Sequence, residues 1–152
     1  MKAMLLVVAA GLTITCSAAD KPNFSGEWKM IPAKSNFGLL PAPESFLRKI
    51  AHSEPNITIE EEQLANGTES KSKRNVRTDG HPVALEINGS PVTAAVAWDD
   101  NDLIAITSLD NNTGLKFTDR MSLSEDGKLL TSKVAITSFQ GDVELIVVFE
   151  RQ

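Results

Sequence analysis

The sequence predicts an all-β protein, an antiparallel up-and-down meander of about 8–10 strands that closes into a barrel. Three observations carry this expectation. Tight-turn dipeptides recur at Asn66-Gly67, Asp79-Gly80, Asn88-Gly89, Asp126-Gly127 and Gln140-Gly141. The first four are Asn-Gly and Asp-Gly pairs, which tolerate the positive φ of type I′ hairpin turns. The segments between them alternate apolar and polar residues, as strands buried on one face do. Hairpin registers built from these turns also agree with one another, because each keeps the same apolar face inward and a one-residue slip would turn it outward. Closure into a barrel removes exposed sheet edges. A two-sheet sandwich is the alternative architecture.

The chain of 152 residues opens on Met1-Lys2 and an apolar run over residues 3–14. That run is short for a membrane span. Ser17-Ala18-Ala19 follows, with small residues at the positions signal peptidase requires. The expectation is a cleaved signal peptide over residues 1–19, ending at Ala19, and a single β-barrel domain over 20–152. The product would be secreted or periplasmic. The rival is a lipoprotein acylated at Cys16, but Thr13-Ile14-Thr15 lacks the usual Leu and small residues of a lipobox. Cys16 is the one cysteine, so the mature domain is held by its core without disulfides. A formal charge of −5 argues against nucleic acid as a partner. No second apolar run follows, so no transmembrane span is expected in the mature protein.

Strands are expected over residues 24–31, 46–53, 56–63, 70–78, 82–88, 91–99, 102–109, 115–124, 129–138 and 142–151. Pro32, Pro41 and Pro43 make the segment after the first strand a loop or a single short helical turn. A two-residue loop at Asn66-Gly67 sets Glu62 opposite Lys71 and Glu60 opposite Lys73, with Ile59 facing Arg74 and Ile57 facing Val76. A loop at Asp79-Gly80 would pair Val76 with Val83, Arg74 with Leu85 and Lys73 with Glu86. Asn88-Gly89 pairs Leu85 with Val92 and Val83 with Ala94. Asp100-Asn101 pairs Trp98 with Leu103 and Val96 with Ala105. A three-residue loop ending at Gly114 would set Leu109 on Phe117 and Ala105 on Met121, which buries apolar groups. Asp126-Gly127 pairs Leu123 with Leu130 and Phe117 with Ile136. Gln140-Gly141 would pair Ile136 with Leu145, Val134 with Val147 and Ser132 with Phe149.

These registers turn Glu61, Arg74, Asp119 and Arg151 inward. A packed core rarely holds several charges, whereas a solvated ligand cavity does. Arg74, flanked by Ile59, Val76, Val83 and Leu85, could hold an anionic head group; the alternative is a side chain that snorkels from the barrel mouth into water. Ala94, Ala105, Thr107 and Ser132 are small for an interior and leave room. Trp28 and Trp98 are expected inward, as cavity wall or as packing at the barrel ends. His52 and His81 stand alone and read as solvated turn positions, not zinc ligands or bases. Asp99, Asp100 and Asp102 lack the later Glu of an EF-hand and read as a turn. No metal, cofactor or catalytic group is expected.

The first mature strand, Phe24-Ser25-Gly26-Glu27-Trp28-Lys29-Met30, followed by Ser35-Asn36-Phe37, resembles the calycin group, the lipocalins and fatty-acid-binding proteins. It also resembles small exported bacterial proteins that open Gly-x-Trp-Lys and run through Lys-Ser-x-Phe-Gly. The resemblance implies a calycin-like barrel in which Trp28 closes one end against a basic residue of the last strand, for which Arg151 is the match. The last strand lacks the Arg-x-Tyr that holds a carboxylate in the fatty-acid-binding branch. The resulting expectation is a non-enzymatic barrel that binds a small apolar or amphipathic ligand through Arg74, Glu61, Trp98 and Asp119. The alternatives are a protein-binding module acting through surface loops and, less favoured, an enzyme.

Overall fold

The computed structural model describes residues 20–109 and 113–152. The leader expected over residues 1–19, with Cys16, lies outside the described residues, as does the centre of the 109–115 connection. Among the described residues ten strands form one antiparallel sheet. They are β1 (Gly26–Met30), β2 (Ser45–Ser53), β3 (Asn56–Ala65), β4 (Thr68–Arg77), β5 (Val83–Ile87), β6 (Ser90–Asp99), β7 (Asp102–Leu109), β8 (Lys116–Leu123), β9 (Leu129–Ser138) and β10 (Gly141–Arg151). Sequential strands pair, except β4 with β5, and β1 also pairs with β10, so the meander curls round onto itself. Pro32–Lys34 forms one short 3-10 turn, with Pro32 at its start.

The β3–β4 hairpin has the expected register. Glu62 faces Lys71 and Glu60 faces Lys73, with ion-pair distances of 3.0 and 2.8 Å. Asn66 takes φ +51° and Gly67 +71°, the left-handed pair a type I′ turn requires. The β5–β6 and β6–β7 registers also match, with Leu85 opposite Val92 and Trp98 opposite Leu103.

Three pairings differ. The Asp79-Gly80 hairpin does not form, and β4 and β5 are the two ends of the sheet with no ladder between them. The chain leaves β4 and reaches across to β6 instead: Asp79 bridges Ala97, and the Gly80 N–H donates to the Val96 carbonyl at 2.8 Å. Pro82 then has no N–H to give a returning strand. Arg74 and Leu85 are therefore not partners.

The β7–β8 register is shifted by two residues. Thr107 faces Phe117, Ala105 faces Asp119 and Leu103 faces Met121. The connection is closed further out, by the Leu109 N–H donating to Leu115 O at 3.0 Å. The β9–β10 register shifts by two as well, setting Val147 opposite Ser132 and Phe149 opposite Leu130. Its turn is Phe139-Gln140, pinned by the Ser138 hydroxyl, which donates to Gly141 O at 3.1 Å and accepts the Gln140 N–H at 3.2 Å. A two-residue shift keeps every side chain on its face.

The interior has two halves. One end is packed by Phe24, Trp28, Ile57, Ile59, Leu103, Met121, Leu130 and Phe149, all essentially without solvent contact. Trp28 closes this end. Its indole N–H donates to Phe24 O at 3.1 Å, and the Arg151 guanidinium lies 4.3 Å from its ring centroid. Arg151 is itself exposed on its outer side and donates to Ser25 O at 2.6 Å and Gly127 O at 2.9 Å. The glycine of Gly-x-Trp follows from this stack. Gly26 holds φ +149°, and a Cβ there would sit 2.9 Å from Arg151 Nη1. The other half of the barrel is hollow.

Candidate functional site

Strand alternation builds the site. On β2, Phe46, Arg48, Ile50 and His52 point inward while their neighbours face solvent. Phe46 and Arg48 reach the hollow half, and Ile50 and His52 the packed one. The same division recurs on β3, where Glu61 faces the hollow and Ile59 the core, and on β8, where Asp119 and Met121 divide likewise. Between the halves lies a layer of charge: Arg48, Glu61, Arg74 and Asp119, with Ser132.

Arg48 is its centre. It is 3% exposed. Its Nε donates to Glu61 Oε1 at 2.9 Å, Nη2 approaches Glu61 Oε1 at 2.7 Å and Asp119 Oδ2 at 3.0 Å, and Nη1 donates to Ser132 Oγ at 2.6 Å. Its guanidinium also lies 4.9 Å from the Phe149 ring centroid and 5.5 Å from that of Phe46. Glu61 Oε2 takes Arg74 Nη2 at 3.0 Å. Burial disfavours the charge on Glu61, but the guanidiniums of Arg48 and Arg74 outweigh it and hold the carboxyl below its usual range. Burial likewise opposes the Arg48 charge, and Glu61 and Asp119 overcome it and raise its pKa. Two positive and two negative groups leave this layer with no net charge.

Above the layer lies a cavity of about 450 Å³. Apolar side chains line most of it, among them Phe46, Phe117, Val134, Ile136, Leu145 and Val147. Asn88, Leu109 and Leu115 are also among its lining residues. The volume lies in the lower part of the ~300–1,000 Å³ range of small-molecule sites.

The structure brings Glu61, Arg74 and Asp119 together at this floor. Arg74 is not the unpaired inward charge expected, because Glu61 holds it. Trp98 does not join them. It stands in the packed end, with Nε1 donating to Glu54 Oε1 at 3.0 Å and its ring 6.0 Å from Phe24. Its expected ligand contact is therefore corrected to a packing role. Trp28 and Arg151 also sit at the packed end, away from the cavity.

His52 is not a solvated turn residue. It is 8% exposed. Nδ1 accepts the Phe24 N–H at 3.3 Å and Nε2 meets Glu54 Oε1 at 2.7 Å. Glu54 also takes the Thr78 hydroxyl at 2.7 Å. Burial opposes its charge, but the bonds from Thr78, His52 and Trp98 prevail and its pKa is lowered. This cluster ties the segment before β1 to the barrel end. Asp99 and Asp102 are engaged by Arg120, and among the described residues no group of three His, Cys, Asp or Glu converges as metal ligands do.

Sequence reasoning missed Arg48. The signal was present: Arg48 alternates with Phe46 and Ile50, and pairing Ile50 with Ile59 sets it opposite Glu61.

The fold these elements define is calycin-like. Solved structures similar to it include a secretory abundant heat soluble protein from Ramazzottius varieornatus, at 13% identity and TM-score 0.65, covering 84% of this chain and 94% of that one. Another is the zebrafish ileal bile-acid-binding protein complexed with cholic acid, at 14% identity and TM-score 0.57, covering 85% and 98%. A third is Caenorhabditis elegans lipid binding protein 8, at 12% identity and TM-score 0.58, covering 85% and 95%. No family model and no curated protein sequence matches the chain. Among the described residues no helix is long and apolar enough to cross a membrane.

Proposed function

We propose that this protein is an exported, non-enzymatic barrel that binds a small apolar or amphipathic molecule in its hollow half. One observation carries the reading: a largely apolar cavity of about 450 Å³ ends on a buried layer of hydrogen-bonding side chains. An apolar ligand body would displace water from the walls, and a polar end would meet the floor. The structural neighbours named for lipid binding and bile-acid binding support a barrel of this use. Export rests on the sequence of residues 1–19. A second reading, a module that binds another protein through its loops, draws on Leu39, fully exposed, and Phe139, 81% exposed.

The test is binding of Nile red, an uncharged apolar dye, to the mature chain, alongside native mass spectrometry of protein purified from its own host. The cavity reading expects saturable one-to-one dye binding that Val134→Trp abolishes while the fold persists. Dye binding unchanged in that variant, with loss on Phe139→Ser, would favour the protein-binding surface.

A further inference from the structure

We infer that the cavity selects a ligand whose polar end is uncharged and donates a hydrogen bond, a hydroxyl being the simplest, and that Asp119 Oδ1 receives it. This inference rests on the cavity reading above. It starts from what the floor has left over. Arg48 donates to Glu61 Oε1 and to Asp119 Oδ2, and Glu61 Oε2 is taken by Arg74. Two buried polar atoms remain without a partner among the described residues: Asp119 Oδ1, an acceptor, and Arg74 Nε, a donor. Asp119 is 8% exposed, and both residues line the cavity. A buried acceptor left unmade is costly, so a ligand that supplies the donor gains that bond and relieves the site.

Charge then decides the kind of head group. The layer already balances two guanidiniums against two carboxylates. A ligand carboxylate would bring an unmatched negative charge beside Asp119 and Glu61 and could donate nothing to Oδ1. An ester or ether accepts but cannot donate. A hydroxyl donates to Asp119 Oδ1 and keeps acceptor lone pairs for a donor such as Arg74 Nε. This departs from the anionic head group that an inward arginine suggests when read from sequence.

Three probes of one chain length separate the possibilities: decan-1-ol, methyl decanoate and decanoate, each competing with Nile red on the mature protein at neutral pH. The ester controls for apolar body, and the acid for charge. The expected result is binding of the alcohol at least about tenfold tighter than either, the scale of one hydrogen bond to a charged group. Asp119→Asn should abolish the advantage of alcohol over ester. Its melting curve reports whether the variant folds, and if it does not, the comparison on the unmodified protein still decides. Ester as tight as alcohol would overturn the role of Oδ1. Decanoate as tight as alcohol would overturn the uncharged head group and leave the cavity reading standing. Failure of Nile red itself to bind in the cavity would overturn both.

Discussion

Replacement of Arg48 by methionine tests the charged floor. Methionine retains an unbranched stem against Phe46 and Phe149 and removes only the guanidinium. The change leaves Ser132 Oγ without the Nη1 donor and Asp119 without an ion-pair partner, both buried. Glu61 keeps Arg74. Breaking a buried pair by removing one member costs about 3–5 kcal/mol, mainly through the charge left behind. That is a large part of the ~5–15 kcal/mol that holds a domain together. Equilibrium urea denaturation at neutral pH measures it, with the midpoint shifted down at similar slope. Combining Arg48→Met with Asp119→Asn should recover about 1–3 kcal/mol, since the stranded charge is gone. A single variant within about 1 kcal/mol of the parent, or a pair less stable than the single variant, would refute the reasoning.

Three further outcomes follow from the same contacts. Trp28→Ala should cost about 3–5 kcal/mol by denaturation, because the side chain is fully buried and its void meets Phe24 and Arg151. Gly26→Ala should cost about 1–3 kcal/mol, since φ +149° suits glycine and the new Cβ would crowd Arg151; a neutral effect would mean that the stack relaxes freely. Glu61 has a folded pKa below its unfolded one, so its contribution to stability is complete above the ordinary glutamate value of about 4.3. That contribution is lost as pH falls from there through the folded value. Denaturation midpoints taken across that acid range should fall less steeply in Glu61→Gln than in the parent.

Turn chemistry made most of the fold legible. Asn66-Gly67 and Asn88-Gly89 fix their hairpins through paired positive φ angles that few other residues tolerate, while the loop at Asp126-Gly127 needs a positive φ at Gly127 alone and is held by the Ser124 and Asp126 side chains. The misread registers share a physical cause. Alternation has a period of two, so it detects a one-residue slip and is blind to a two-residue one. The Ser138 hydroxyl and the Leu109–Leu115 bond settled what alternation could not. Asp79-Gly80 has the composition of a hairpin turn, yet its backbone groups bond β6 across the barrel, a long-range choice that no local pattern encodes. The candidate site was partly legible. Glu61, Arg74 and Asp119 follow from facing alone, because a two-residue slip does not change it. Arg48 required pairing β2 with β3 across Glu54-Pro55, a junction without a hairpin dipeptide. His52 looked isolated in sequence because, Glu54 apart, its partners Phe24 and Trp98 are distant in the chain.

On the proposed function, a ligand occupies the hollow half of the barrel. Amide NMR spectra of the mature protein, recorded as Nile red is added, test it most directly. Shifts are expected to concentrate at Thr107, Phe117, Val134 and Leu145 around the cavity, with Ile57, Leu103 and Trp98 at the packed end unmoved. Shifts confined to Leu39, Phe139 and the outer faces of the strands, or a dye that binds without moving the cavity residues, would contradict it.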